Sequence, residues 1–300
     1  MAKSKTRVVC LAMLALALAT LVLAGGASAK LTGEFTRFQF CPYKNPEVVR
    51  CVHSVTNGGT FVLGNKTVTI NKEVVLQGGY PEPPEEGPEA FFSKFVGATN
   101  GVTLSKASLA VPGGLLGIVP PESSPPLVKL LSKFFFENSL TGVNSTMELA
   151  KPASDIRINE LNLALGEGVT LKLPVRIRLE NPFLGKNCYV GSSSSPIKLE
   201  LRADTTSPPP PNKPITGNGG QVTFIEGGRV LRLDGAELVD NAWSAPAASG
   251  CGGLLSFLVN PIINSQVGLP AAAGKNTAIL KNTIHTTTAF ALNKNDAENP

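Results

Sequence analysis

Between Val169 and Leu179 the chain alternates strictly. Val169, Leu171, Leu173, Val175, Ile177 and Leu179 fall on one side, and Thr170, Lys172, Arg176 and Arg178 on the other. A period of two held over that length defines a half-buried strand and no helix. Pro174 falls on the polar register and cannot donate to a ladder, which predicts an edge strand or a bulge there. Ile197, Leu199, Leu201 and Ala203 alternate with Lys198, Glu200 and Arg202 in the same way. Ile156 and Ile158, then Leu161, Leu163 and Leu165, keep the alternation but change phase at Asn159-Glu160, which reads as a one-residue bulge. Further strands are expected over Glu34–Phe40, Thr60–Leu63, Lys66–Ile70, Gly101–Leu104, Ser108–Val111, Val222–Ile225, Val230–Leu233 and Thr283–Leu292. Helical spacing appears twice. Leu127, Leu130, Leu131 and Phe134 repeat at three and four, with Ser124 placed to cap and Pro125 at the first helical position. Leu254–Val267 is the second helix, which Pro261 should bend or split.

Many short strands and few helices predict an all-β fold: a two-layer antiparallel sandwich with one or two short capping helices. Thirty Gly and 24 Pro punctuate the chain, as many short strands require. Thr60–Lys66 aligns without gaps on Thr223–Arg229, and both place a Gly-containing turn between short strands, the chemistry of a hairpin. Tyr80–Glu89 is a stiff acidic loop, and Pro208 to Pro211 form a polyproline spacer inside Ser207–Pro214. Strands flank both closely. Residues 30–292 are therefore read as one β-sandwich-like domain, with two coupled β lobes as the variant, and residues 293–300 as a disordered tail.

The N-terminus changes this picture in one respect. Lys3, Lys5 and Arg7 precede an apolar run, Val8 to Ala24, and Ala27-Ser28-Ala29 has the small-residue pattern that a signal peptidase cuts after. Residues 1–29 are expected to be a secretory signal peptide, with processing before Lys30 and no stable transmembrane span afterwards. Without this segment the chain holds 24 basic and 22 acidic residues, a net +2. The apparent basicity thus belongs mostly to the signal, and nucleic acid is not an expected partner. Four cysteines remain: Cys41, Cys51, Cys188 and Cys251. An even number in an exported chain favours two disulfides, with three connectivities open. Cys41 and Cys51 bracket a turn-like segment and pair easily, which leaves Cys188 with Cys251. The expected location is secreted, extracellular or at the cell envelope.

Candidate chemistry is sparse. There is no Cys-x-x-Cys, no Gly-x-Ser-x-Gly and no phosphate-cradling Gly loop, and no cofactor or metal is expected. His53 and His285 are the only histidines. His53 is expected beside a disulfide and His285 on the surface of a Thr-rich strand, neither of them catalytic. Scattered carboxylates on strand faces leave a carbohydrate-active hydrolase open on fold analogy alone. Lys129 and Lys133, one turn apart beside Leu130 and Leu131, would suit a membrane-surface helix. The shortness of the segment favours a helix that covers one end of the core.

The most distinctive stretch is Asn181–Pro196, a long loop between two strands. Asn181, Phe183, Lys186, Asn187 and Tyr189 are its candidate binding residues, because long loops on a rigid sheet often carry function. With Cys41…Asn45-Pro46…Cys51, Leu76-Gln77-Gly78-Gly79 and Pro112-Gly113-Gly114-Leu115-Leu116-Gly117, this loop resembles segments of a group of uncharacterised secreted bacterial proteins. The resemblance implies secretion and a shared fold, and brings no active site. The sequence therefore points first to an exported structural or binding protein with an unknown extracellular or envelope partner. A secreted hydrolase and a carrier of lipid or another apolar ligand follow, the carrier using Leu254–Ile263 to line its cavity.

Overall fold

The computed structural model describes residues 30–116, 120–136 and 140–299, and the expected signal segment lies outside them. The chain is mostly β, with every strand pair antiparallel. One layer is built on β1 (Arg50–Leu63), β13 (Val230–Asp240) and β15 (Thr277–Thr288). β15 lies between the other two, and β12 (Gln221–Ile225) flanks β13. The outer edge of β1 is shared by β3 (Val74–Tyr80) along its first half and β2 (Lys66–Thr69) at its end. The second layer centres on β9 (Val169–Glu180). β7 (Val143–Leu149) and β8 (Arg157–Ile158) share one edge of β9, and β10 (Tyr189–Val190) and β11 (Ile197–Arg202) the other. β6 (Ser108–Val111) extends this layer beyond β7, and β14 (Ala248–Ser249) beyond β10.

Two corners join the layers by hydrogen bonds. Arg202 at the end of β11 pairs with Val239 of β13. The neighbouring Asp240 carboxylate fastens this corner, accepting from the backbone N–H of Glu200 at 2.7 Å and of Ala242 at 2.9 Å. At the other corner one chain segment serves both layers: β4 (Ser93–Lys94) pairs with β8 and β5 (Val96–Gly97) pairs with β3. Phe95 between them is buried, and its ring lies so close to Gly78 that a Cβ there would collide. Along the remaining side the edge strands β2 and β6 lie near each other without a ladder between them.

The predicted alternation is realised in β11 and, from Leu171 on, in β9, whose apolar faces turn into the space between the layers; at the start of β9 a register shift buries Thr170 and leaves Val169 half-buried. Pro174 falls where β7 has ended and β8 has not begun, so its missing N–H leaves no ladder bond broken. Five expectations are corrected. Gly101–Leu104 forms no strand, and Leu104 meets Leu76 of β3 only as an isolated bridge. Gly33–Phe38 is a 3₁₀ helix, because Phe35 and Phe38 are buried three residues apart. The phase change at Asn159-Glu160 is the start of a short helix, α2 (Glu160–Leu165). The Asn159 side chain caps it by accepting from the Asn162 N–H, and Gly166 closes it in the left-handed region. β15 ends at Thr288, whose side chain accepts from the Ala291 N–H and begins α4 (Ala289–Glu298). The expected tail is therefore ordered: Leu292, Asn295 and Asp296 are buried, and Asn295 accepts from the Thr32 N–H. The other helices are α1 (Pro126–Phe136) and α3 (Ser256–Val267), which contains Pro261. Disulfides join Cys41 to Cys51 and Cys188 to Cys251, chemistry that persists in oxidising compartments.

Besides the main core between the layers there is a second, smaller one. Phe35, Phe38, Cys41, Val48 and Leu292 gather against Val230, so the N-terminal segment and α4 together cover part of the outer face of the β1–β15–β13 layer.

Candidate functional site

The main core does not fill the space between the layers. An apolar cavity lies there, offering about 110 Å³ to the centres of water-sized spheres. One water needs about 10–15 Å³ by that measure, and packed interiors leave few voids even that large. The walls come from both layers: Leu171, Leu173, Ile177 and Leu179 of β9 face Phe61, Leu63 and Leu280 of β1 and β15. The unpaired side contributes Lys66 and Val68 from β2, and Leu109 and Val111 from β6. The cavity thus reaches the place where the wall has no ladder.

Its few polar residues are mostly engaged. Thr56 Oγ1 donates to Asn282 Oδ1 at 2.6 Å, Ser105 Oγ accepts from the Val75 N–H and Ser145 Oγ donates to the Leu109 carbonyl. Lys66 is different. It is the one charged residue in the lining, and no ion-pair partner stands beside it among the described residues. On β2 it shares the inward face with buried Val68, and burial holds its ammonium below the ordinary lysine pKa. A half-buried cation at the rim of an apolar cavity is complementary to the acidic head of an amphiphile.

Other polar clusters are less suited to ligands. On the outer face of the β1–β15–β13 layer, Gln77, His53, His285 and Arg232 form a row across four strands. His285, expected at the surface, is 2% exposed because the Gly33–Phe38 segment lies over it. Neither ring nitrogen has a hydrogen-bond partner, and Glu34 Oε2 stands 3.9 Å from Nε2. Burial and the nearby Arg37 guanidinium lower the His285 pKa to about 4. Burial also lowers the pKa of His53, whose Nδ1 is unpartnered. At another point of the interior, Glu160 pairs with Arg50 at 3.0 Å and accepts from Thr286 at 3.4 Å. Burial raises the Glu160 pKa despite Arg50.

A surface basin lined by Glu89, Asp155 and Glu200 comes nearest to what a glycosidase needs. It is wider, about 340 Å³ by the same measure, but open and crowded with cations. Glu89 is engaged by Arg157 and Lys172, and Asp155 by Lys151. Among the described residues no group of three or more His, Cys, Asp or Glu could hold a metal ion.

The loop residues singled out in the sequence divide into anchors and free groups. The Asn181 amide donates to the carbonyls of Leu140 and Gly142 at 2.8 and 2.7 Å and so ties down the loop before β7. Tyr189 lies under the Arg176 guanidinium at 4.4 Å, and Glu148 holds that guanidinium from the other side. Phe183, Lys186 and Asn187 are exposed. Phe183 is one of several large apolar side chains that face solvent. Leu127, Leu130 and Leu131 of α1 face solvent and do not cap the core, and Leu254 is 98% exposed. The expectation that Leu254–Ile263 lines a cavity is corrected as well: of α3 only Val267 reaches it. A large aliphatic or aromatic side chain left in water forgoes about 1.5–3 kcal/mol of burial, so the fold gains nothing from this surface. No known protein family, curated protein or solved structure matches the chain.

Proposed function

We propose that the protein is an exported carrier of a single-chain amphiphile, with the apolar chain in the cavity and an acidic head group against Lys66. One observation carries the reading: an apolar cavity whose single charged lining residue, among the described residues, is a half-buried lysine with no counter-ion beside it. Ligand sites are typically apolar with few polar groups that fix orientation, which is the composition found here. The two disulfides and the leader-like N-terminus agree with action outside the cytoplasm, secreted or at the envelope.

The test is displacement of an environment-sensitive fluorescent fatty acid from the oxidised protein. Dodecanoic acid should displace it, and its methyl ester should do so several-fold less well. Lys66→Met should bring acid and ester to the same affinity by removing the ion pair. Unchanged preference in Lys66→Met overturns the assignment of the head group. No binding of any of these chains, with the fold intact by circular dichroism, overturns the carrier reading.

A further inference from the structure

We propose that the amphiphile held in the cavity is polar at both ends: a long-chain acid whose far end carries a hydroxyl group. The inference rests on the carrier reading and adds the class of ligand to it. The cavity lining is apolar except for Lys66 and five neutral polar residues. Four of these, Ser54, Thr56, Ser105 and Asn282, lie together and away from Lys66. Thr56 and Asn282 are partners across the β1–β15 ladder, and Ser54 shares their face of the layer. Ser105 reaches in from beyond β3, where its hydroxyl accepts from the N–H of Val75, the residue paired with Val55. Lys66 pairs with Leu63 at the opposite end of β1. At about 3.3 Å of rise per residue, and with one bulge on the way, the stretch from Thr56 to Leu63 covers on the order of 20 Å. The cavity therefore has a cation at one end, hydroxyl and amide groups at the other, and apolar walls between.

Part of the far polar end is unused. Thr56 Oγ1 donates to Asn282 Oδ1, and the Asn282 amide donates in turn to the Leu280 carbonyl at 2.8 Å, so both side chains are fixed. The neighbouring Ser54 hydroxyl has no partner among the described residues, and the Ser105 hydroxyl accepts a hydrogen bond without giving one. A half-buried hydroxyl in an apolar wall forgoes hydrogen bonds to water, and alanine or valine would pack there as well. These free donors and acceptors suit a polar group on the ligand. That group is neutral. Lys66 is the one charged residue in the lining among the described residues, so a second carboxylate would lose its water at the far end with no counter-ion to replace it. A hydroxyl both donates and accepts, and so complements Ser54 and Ser105 together. The spacing sets its place on the chain: extended hexadecanoic acid has a reach of the order that separates Lys66 from Ser54.

The oxidised protein is loaded with the fluorescent fatty acid, and displacement by hexadecanoic acid is compared with displacement by 16-hydroxyhexadecanoic acid. The hydroxy acid should bind about fivefold more tightly, the gain expected from one added neutral hydrogen bond. Ser54→Ala should bring the two acids to the same affinity. In the shorter pair the sign should reverse without any substitution: 12-hydroxydodecanoic acid should bind more weakly than dodecanoic acid, because its hydroxyl stops short of Ser54 and is buried unpaired between apolar walls. A hydroxyl that weakens binding at both lengths, or changes nothing at either, overturns the proposal and leaves the carrier reading standing, since the plain acids still bind. A preference for the hydroxy acid that survives Ser54→Ala overturns the placement of its hydroxyl. No displacement by any of these chains, in protein that is folded by circular dichroism, overturns the carrier reading and this inference together.

Discussion

The His285 imidazole is buried with neither nitrogen bonded, and its pKa of about 4 has a consequence for stability. The folded pKa lies below the unfolded value near 6.5, so protons bind preferentially to the unfolded chain as pH falls. The stabilisation is complete above about pH 6.5, declines as pH falls, and is lost by about pH 4, a difference of up to about 3 kcal/mol. Urea unfolding between pH 7 and pH 4 should show this slope, and His285→Leu should flatten much of it. A slope unchanged in the variant would place the titration elsewhere. The sequence showed which face of its strand His285 occupies, through Thr283 and Thr287, but not that a segment some 250 residues away covers that face. Lys66 was missed for the same reason: its strand was legible, and the cavity beside it depends on a layer formed much later in the chain. Because burial lowers its pKa, Lys66→Met should raise the melting temperature of the ligand-free protein even as it removes the preference for acids.

Among the elements, β9 was the most legible, since its period of two is unbroken in the sequence and the second layer is built around it. Short elements defeated periodicity. Three Leu at alternating positions, Leu161, Leu163 and Leu165, fit a strand, yet the Asn159 cap and Gly166 close a helix in which only Leu163 is buried. The C-terminal segment was expected to fray as chain ends commonly do, but Asn295 and Asp296 hold Thr32 and Lys44. The corner between β11 and β13 rests on little ladder pairing, so the Asp240 carboxylate matters there more than a single side chain usually does. Asp240→Ala should cost about 2–3 kcal/mol, the range for charged hydrogen bonds removed with their buried partners left behind. Chemical denaturation would measure this, and a cost below about 0.5 kcal/mol would mean that the corner is held by other contacts.

At the scale of the whole molecule, the all-β class and both cysteine pairs were legible, because alternation and local spacing are properties of the chain itself. The cavity was not, since it arises where segments distant in sequence meet. The loop around Asn181 was noticed for its length, and its part proved to be joining two other segments. The Cys188–Cys251 bridge secures that junction across 63 residues. Cys188→Ser/Cys251→Ser should destabilise by about 4 kcal/mol in the chain-entropy view. Urea unfolding of the oxidised protein and of this variant measures the difference, and a cost below about 1 kcal/mol would mean that other contacts hold the junction.

The central claim is that the space between the layers is a binding site and not a packing defect. Native mass spectrometry of the oxidised protein with dodecanoic acid tests it most directly. One ligand per chain is expected, retained under gentle activation and lost in Leu109→Trp, which fills the cavity from β6. A spectrum with no bound acid, or binding that Leu109→Trp leaves untouched, would contradict it.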